Sequence, residues 1–104
     1  GSALAACYEG AALSWGSHGL RVVNSIVYGG YRAIGMDWGS FDADIHDNRL
    51  GSDLFAVNLD ISPDENGNMP AIFDVSVIGN EIVSGTLPVS DPALKVVVEN
   101  NSSE

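Results

Sequence analysis

From residue 20 onward the apolar and polar positions alternate with a period of two. LRVVNSIVY (20–28) and YRAIGMDW (31–38) flank Gly29-Gly30. Two strand-like runs joined by two glycines predict a β-hairpin, because both central residues of a type I′ turn need positive φ. Such a turn sets Tyr28 opposite Tyr31 and Val27 opposite Arg32. In the second run the even positions Ile34, Met36 and Trp38 face inward; in SFDADIHDN (40–48) the odd positions Phe41, Ala43 and Ile45 do. One strand cannot change parity without an irregularity, so a bulge or bend is expected at Gly39-Ser40.

The same alternation continues downstream. HDNRLGSD (46–53) reads as loop. LFAVNLDI (54–61) puts Phe55, Val57, Leu59 and Ile61 inward, and AIFDVSVI (71–78) does so for Phe73, Val75 and Val77. SPDENGNMP (62–70) is a polar turn between them. Gly79-Asn80 links to EIVSGTL (81–87) as a second predicted hairpin, PVSDP (88–92) is loop, and LKVVVE (94–99) is a last strand. NNSSE (100–104) reads as a flexible tail.

The N-terminal stretch differs. SALAACYEGAALSW (2–15) predicts a short helix capped by Ser2, with Leu4, Cys7, Tyr8 and Ala11 or Ala12 on one stripe, ended by Gly16 and Gly19. No internal repeat is evident. The expected fold is therefore α+β: one domain, 1–104, with a short N-terminal helix on a curved, mainly antiparallel sheet of about six strands. The alternative is an all-β sandwich in which the N-terminal segment is a strand.

Composition narrows the function classes. The chain has 104 residues, 45% hydrophobic, and 14 acids against four Lys and Arg, for a net charge of −10. An acidic surface repels phosphate backbones and anionic lipid, which argues against nucleic-acid and membrane partners. It favours a protein partner with a basic surface and speeds its capture. Solubility, or adaptation to high salt, would also produce it. No apolar run reaches the ~18–20 residues that a membrane span needs. A homo-oligomer stays open, as does a cytoplasmic or exported location. Cys7 is the only cysteine, so no intramolecular disulfide forms. Leu4-Ala5-Ala6-Cys7 is lipobox-like but lacks the upstream apolar segment, and a buried cysteine is the simpler reading. The opening Gly-Ser is typical of a cloning remnant.

The candidate chemistry centres on Asp42, Asp44, His46 and Asp47. At a strand rise of ~3.3 Å, Asp42 and His46 stand roughly 13 Å apart, too far to share one ion. Asp44 and His46 are the closer pair, and would need further ligands from Asp37, Asp47 or His18. Alternation with Phe41, Ala43 and Ile45 favours a solvated strand face instead. Asp64, Asn66 and Asn68 match the start of a calcium loop, but its glycine and bidentate acid positions fall on Met69 and Val75. No nucleophile elbow or phosphate loop is present. Asp37 beside Trp38 is a candidate acid. Tyr28 and Tyr31 are candidate contact aromatics, or simply a cross-strand pair. No cofactor is implied.

Three functions are consistent with these residues. The first is a small non-enzymatic docking domain (inhibitor, immunity-type protein or assembly subunit) that binds a basic partner through Asp42, Asp44 and Asp47, with Tyr28 and Tyr31. The second is a small enzyme or ligand-binding domain with a pocket using Asp37, Asp44 and His46. The third is an extracellular or filament-subunit β domain truncated at its N-terminus.

Overall fold

The computed structural model describes residues 3–5, 10–60, 63–68 and 72–103. The runs read as strands are extended, yet none folds back on its neighbour in sequence. There are twelve strands among the described residues: β1 (Ala3–Ala5), β2 (Gly10–Ser14), β3 (Arg21–Val23), β4 (Ile26–Gly29), β5 (Arg32–Met36), β6 (Phe41–His46), β7 (Arg49–Ser52), β8 (Phe55–Leu59), β9 (Phe73–Ile78), β10 (Glu81–Ile82), β11 (Val96–Glu99) and β12 (Ser102–Ser103). Every ladder between them is parallel. The first sheet runs β1-β4-β7-β10-β12, the second β2-β5-β8, and the third β3-β6-β9-β11. The chain visits the three sheets in turn and then climbs one level, which makes a three-faced parallel solenoid.

Ala3 pairs with Ile26 and Ile26 with Arg49, so a coil takes 23 residues. The third coil takes 32, from Arg49 to Glu81, because the polar loop after β8 is inserted in it. The sequence predicts no repeat, yet the coil leaves a trace in it: Trp15-Gly16-Ser17 recurs as Trp38-Gly39-Ser40, one coil later.

The corners explain the period. At the end of each third-sheet strand sits a left-handed residue: Asn24 (φ 51), Asp47 (φ 58), Gly79 (φ 71) and Asn100 (φ 54). A second left-handed column lies at the start of those strands, in Gly19, Asp42, Asp74 and Lys95. Asn, Asp and Gly dominate both columns because they tolerate positive φ best.

Inside, like residues stack on like. Val22, Ile45, Val77 and Val98 form one column of the third sheet; Val27, Leu50 and Ile82 form another on the first; Ile34 and Val57 meet on the second. Each fully buried aliphatic side chain contributes roughly 1.5–3 kcal/mol.

These facts correct the α+β, antiparallel expectation, and the sandwich alternative fails on the same parallel pairing. No α-helix occurs among the described residues. Ala3–Ala5 and Gly10–Ser14 are strands because β4 and β5 offer them parallel partners, and ladder pairing outweighs the small helix preference of Ala and Leu. Cys7 and Tyr8, both on the predicted stripe, lie outside the described residues, as does Ile61. Gly29-Gly30 and Gly79-Asn80 are not hairpin turns. They are corners between sheets, and Tyr28 and Tyr31 therefore do not pair across a turn. A Cβ on Gly29 would lie 1.8 Å from the Arg32 carbonyl oxygen, so the chain passes that corner only as glycine. The parity change at Gly39-Ser40 is likewise a corner between β5 and β6. Phe41 and Phe73 are not core residues, because left-handed Asp42 and Asp74 follow them and turn both rings outward. Among the described residues no helix is long and apolar enough to cross a membrane.

Candidate functional site

The third sheet presents an outer face held in register by a ladder of asparagine side chains, of which those of Asn48 and Asn80 are buried. Asn48, Asn80 and Asn101 occupy equivalent corner positions one coil apart. Asn80 Nδ2 donates to the Ile45 carbonyl (3.0 Å) and to Asn101 Oδ1 (2.9 Å), while its Oδ1 accepts from the Asn48 amide nitrogen (2.9 Å) and Asn48 Nδ2 (3.0 Å). Asn48 Nδ2 also donates to the Val22 carbonyl, and Asn101 Nδ2 to that of Val77. Ser25 begins the column, its amide donating to Asn48 Oδ1. Asparagine suits this place because it both donates and accepts, so each residue bridges two coils.

On this support the outward side chains line up. β6 pairs with β9 so that Phe41 meets Phe73 and Asp44 meets Ser76, which puts Asp42 beside Asp74. β3 lies on the other side of β6, with Arg21 opposite Asp44. Arg21 reaches one coil onward. Its Nη2 is 3.1 Å from Asp42 Oδ1, and its Nη1 donates to the Asp42 carbonyl at 2.8 Å. Asp42, Asp44 and Asp47 keep 47%, 41% and 68% of their side chains exposed. The structure therefore brings three of the sequence-predicted residues together on one face and adds Asp74, which sequence spacing alone does not connect to them.

His46 completes the cluster. Its Nδ1 is 3.0 Å from Asp47 Oδ2 and its Nε2 is 3.7 Å from Asp44 Oδ2. The hydrogen bond to Asp47 raises the imidazole pKa above its ordinary value, burial opposes that, and the charges of Asp44 and Asp47 add to the rise. Among the described residues no group of three or more His, Cys, Asp or Glu side chains is placed to hold a metal ion.

A column of rings borders the same face. His18 stacks on Phe41 with centroids 5.2 Å apart, and Phe41 on Phe73 at 5.0 Å with an interplanar angle of 5°. The rings cover one another's faces, and only their edges and the ends of the column are open.

The remaining candidates lie elsewhere. Asp37 follows β5 on the second sheet and forms a two-pronged ion pair with Arg32, Nη1 to Oδ1 at 2.8 Å and Nη2 to Oδ2 at 3.0 Å. Gly35 makes room for it: a Cβ there would lie 2.5 Å from the Arg32 side chain. Asp37 is thus on a different sheet from Asp44 and His46. Tyr28 lies against Gly51 of the next coil, and Tyr31 packs edge-on against Phe55 with centroids 5.5 Å apart. In the inserted loop Asp64 accepts from the amides of Asn66 and Asn68, both at 2.8 Å. The Asn68 amide is the main cause of its lowered pKa. Both carboxylate oxygens also turn toward Asn68, which makes this segment a self-contained turn.

No known protein family, curated protein or solved structure matches the chain.

Proposed function

We propose that the chain is a non-enzymatic docking module whose third-sheet face captures a protein partner with a basic surface. The observation that carries this reading is the in-register pairing of β6 with β9, which sets Asp42 beside Asp74 on the face that also holds Asp44 and Asp47. The parallel register of β6 and β9 sets the spacing of these charges before the partner arrives. Fixed charges of one sign raise the encounter rate and select against acidic competitors. Arg21 and Lys95 lie on this face and offset part of its negative charge, and the other two cations lie elsewhere. Arg21 is paired with Asp42, Arg32 is on the second sheet with Asp37, and Arg49 is 3.9 Å from Glu81 on the first. Lys95 closes the column that contains Asp42 and Asp74 and marks one border of the patch.

The test is a parallel capture from source lysate with the wild-type chain and a variant carrying Asp42→Asn, Asp44→Asn, Asp47→Asn and Asp74→Asn. Asparagine is chosen because Asp42, Asp47 and Asp74 all have positive φ, which asparagine tolerates. A basic partner retained by the wild type should associate several-fold more slowly with the variant, and the wild-type rate should fall as salt shortens the ~8–10 Å screening length. Equal rates for the two proteins, or rates independent of salt, would reject the reading.

A further inference from the structure

The chain has eight asparagines, and the structure sets one of them apart. Asn48, Asn80 and Asn101 spend their side-chain amides in the ladder of the third sheet. Asn68 Nδ2 donates to Asp64 Oδ2 at 3.2 Å. Asn24, Asn58 and Asn100 are followed by Ser25, Leu59 and Asn101, each with a Cβ beside its backbone nitrogen. Asn66 is exposed, and its side-chain amide makes no hydrogen bond among the described residues. The residue after it is Gly67, also exposed, with nothing within 4 Å of where a Cβ would stand.

The reaction open to such a pair is internal. The Gly67 nitrogen gives up its proton to base and attacks Asn66 Cγ. The new N–Cγ bond closes a succinimide ring, the Cγ–Nδ2 bond breaks, and Nδ2 leaves as ammonia. Water then adds to one of the two ring carbonyls. Opening at Cγ gives an aspartate at position 66. Opening at the main-chain carbonyl gives isoaspartate, with the backbone rerouted through Cβ and Cγ. Nothing is oxidised or reduced, and water is the only other reactant. Nucleophile and carbon sit in one short segment, so no entropy is lost in bringing them together from solution. Glycine leaves the attacking nitrogen uncrowded.

The turn around Asp64 restrains this step. Asp64 Oδ1 accepts from the amides of Asn66 and Asn68, both at 2.8 Å, and the Asp64 carbonyl accepts from the Gly67 amide at 3.0 Å. The attacking nitrogen is therefore engaged until the turn opens. These bonds all lie within residues 64–68, in the stretch inserted between β8 and β9, so no ladder breaks when they do.

We propose that Asn66-Gly67 is a site of spontaneous modification, converted through a succinimide to aspartate and isoaspartate, and that the Asp64 turn sets its rate. Either product adds a negative charge to a chain already at −10. In the isoaspartate form the main chain is one carbon longer between the amides of residues 66 and 68, so Asp64 Oδ1 no longer reaches both. The inference does not rest on the docking reading.

The full chain is incubated at mildly alkaline pH and digested, and its peptides are read by mass spectrometry with fragmentation that separates aspartate from isoaspartate. Both products should accumulate at position 66 while Asn48, Asn80 and Asn101 stay intact. Gly67→Ala should slow the reaction about tenfold, because the added methyl crowds the attacking nitrogen. Asp64→Ala should speed it about tenfold, the factor that one net hydrogen bond supplies. The Asp64 carboxyl, held low chiefly by the Asn68 amide, should titrate higher in the isoaspartate product. Modification of Asn66 no faster than that of Asn48, Asn80 and Asn101 would overturn the proposal. So would an Asp64→Ala chain that reacts no faster than the wild type.

Discussion

Replacing Asn80 by alanine should be among the most damaging single changes in this protein. Its side chain is 1% exposed and ties together two coils and the corner of a third. Truncation leaves the Asn48 amide nitrogen, in a residue 3% exposed, without its 2.9 Å acceptor, and the Ile45 carbonyl without its 3.0 Å donor. Each buried polar group stranded in this way costs about 1–3 kcal/mol, so a loss of about 3–5 kcal/mol is expected. That is a large share of the ~5–15 kcal/mol that holds a domain together. Urea unfolding followed by far-ultraviolet circular dichroism measures it, with Asn66→Ala in the exposed loop as a reference expected to move by no more than about 0.5 kcal/mol. Asn80→Asp gives a second signature. The introduced carboxylate keeps the acceptor role but faces the Ile45 carbonyl and Asn101 Oδ1 as a like dipole, so its penalty should shrink as falling pH protonates it. An Asn80→Ala loss below about 1 kcal/mol, at an unchanged urea slope, would refute the view that the amide ladder carries the register.

Titration of His46 by NMR should give a pKa above the ordinary imidazole value of about 6.5, and Asp47→Asn should bring it down. Because the folded value is raised, the stabilisation from this contact is complete below the unfolded pKa and is lost as pH rises through the folded one. Gly29→Ala should destabilise by more than about 2 kcal/mol, since its Cβ would collide with backbone, whereas Gly67→Ala should cost about 1 kcal/mol, the price of positive φ in open space; paired melting curves decide between them.

Most strands between residues 20 and 99 are legible in the sequence, but their partners are not, and β7 falls in the stretch that reads as loop and β12 in the stretch that reads as tail. Ala43 and Ile45 do face inward, and Asp44 and His46 do face out, because alternation in a solenoid wall is the same as in any half-buried sheet. Gly-Gly and Gly-Asn predict hairpins because a hairpin turn and a solenoid corner both draw on glycine's freedom, and nothing local says whether the chain reverses or only bends. The parallel partner of each strand lies a full coil away, and the inserted loop at 62–70 hides the period by stretching the third coil. The signals that could have exposed it are the repeated Trp-Gly-Ser and the Asn or Asp at residues 24, 47 and 100, with Gly79 in the same column. The acidic site was half visible: Asp42, Asp44 and Asp47 share a short segment, whereas Asp74 joins them only through the register of β6 with β9. The helix reading of 2–15 rested on propensity, which a waiting parallel edge overrides.

The proposed docking face stands on parallel, in-register coils, and methyl-resolved NOE spectroscopy tests that directly. Parallel stacking requires a chain of contacts from Val22 to Ile45 to Val77 to Val98, together with Ala43 to Val75, each linking residues a coil apart. Cross-strand contacts between Val27 and Arg32 about Gly29-Gly30, with the Val22–Ile45–Val77 series absent, would contradict it and return the fold to an antiparallel sheet.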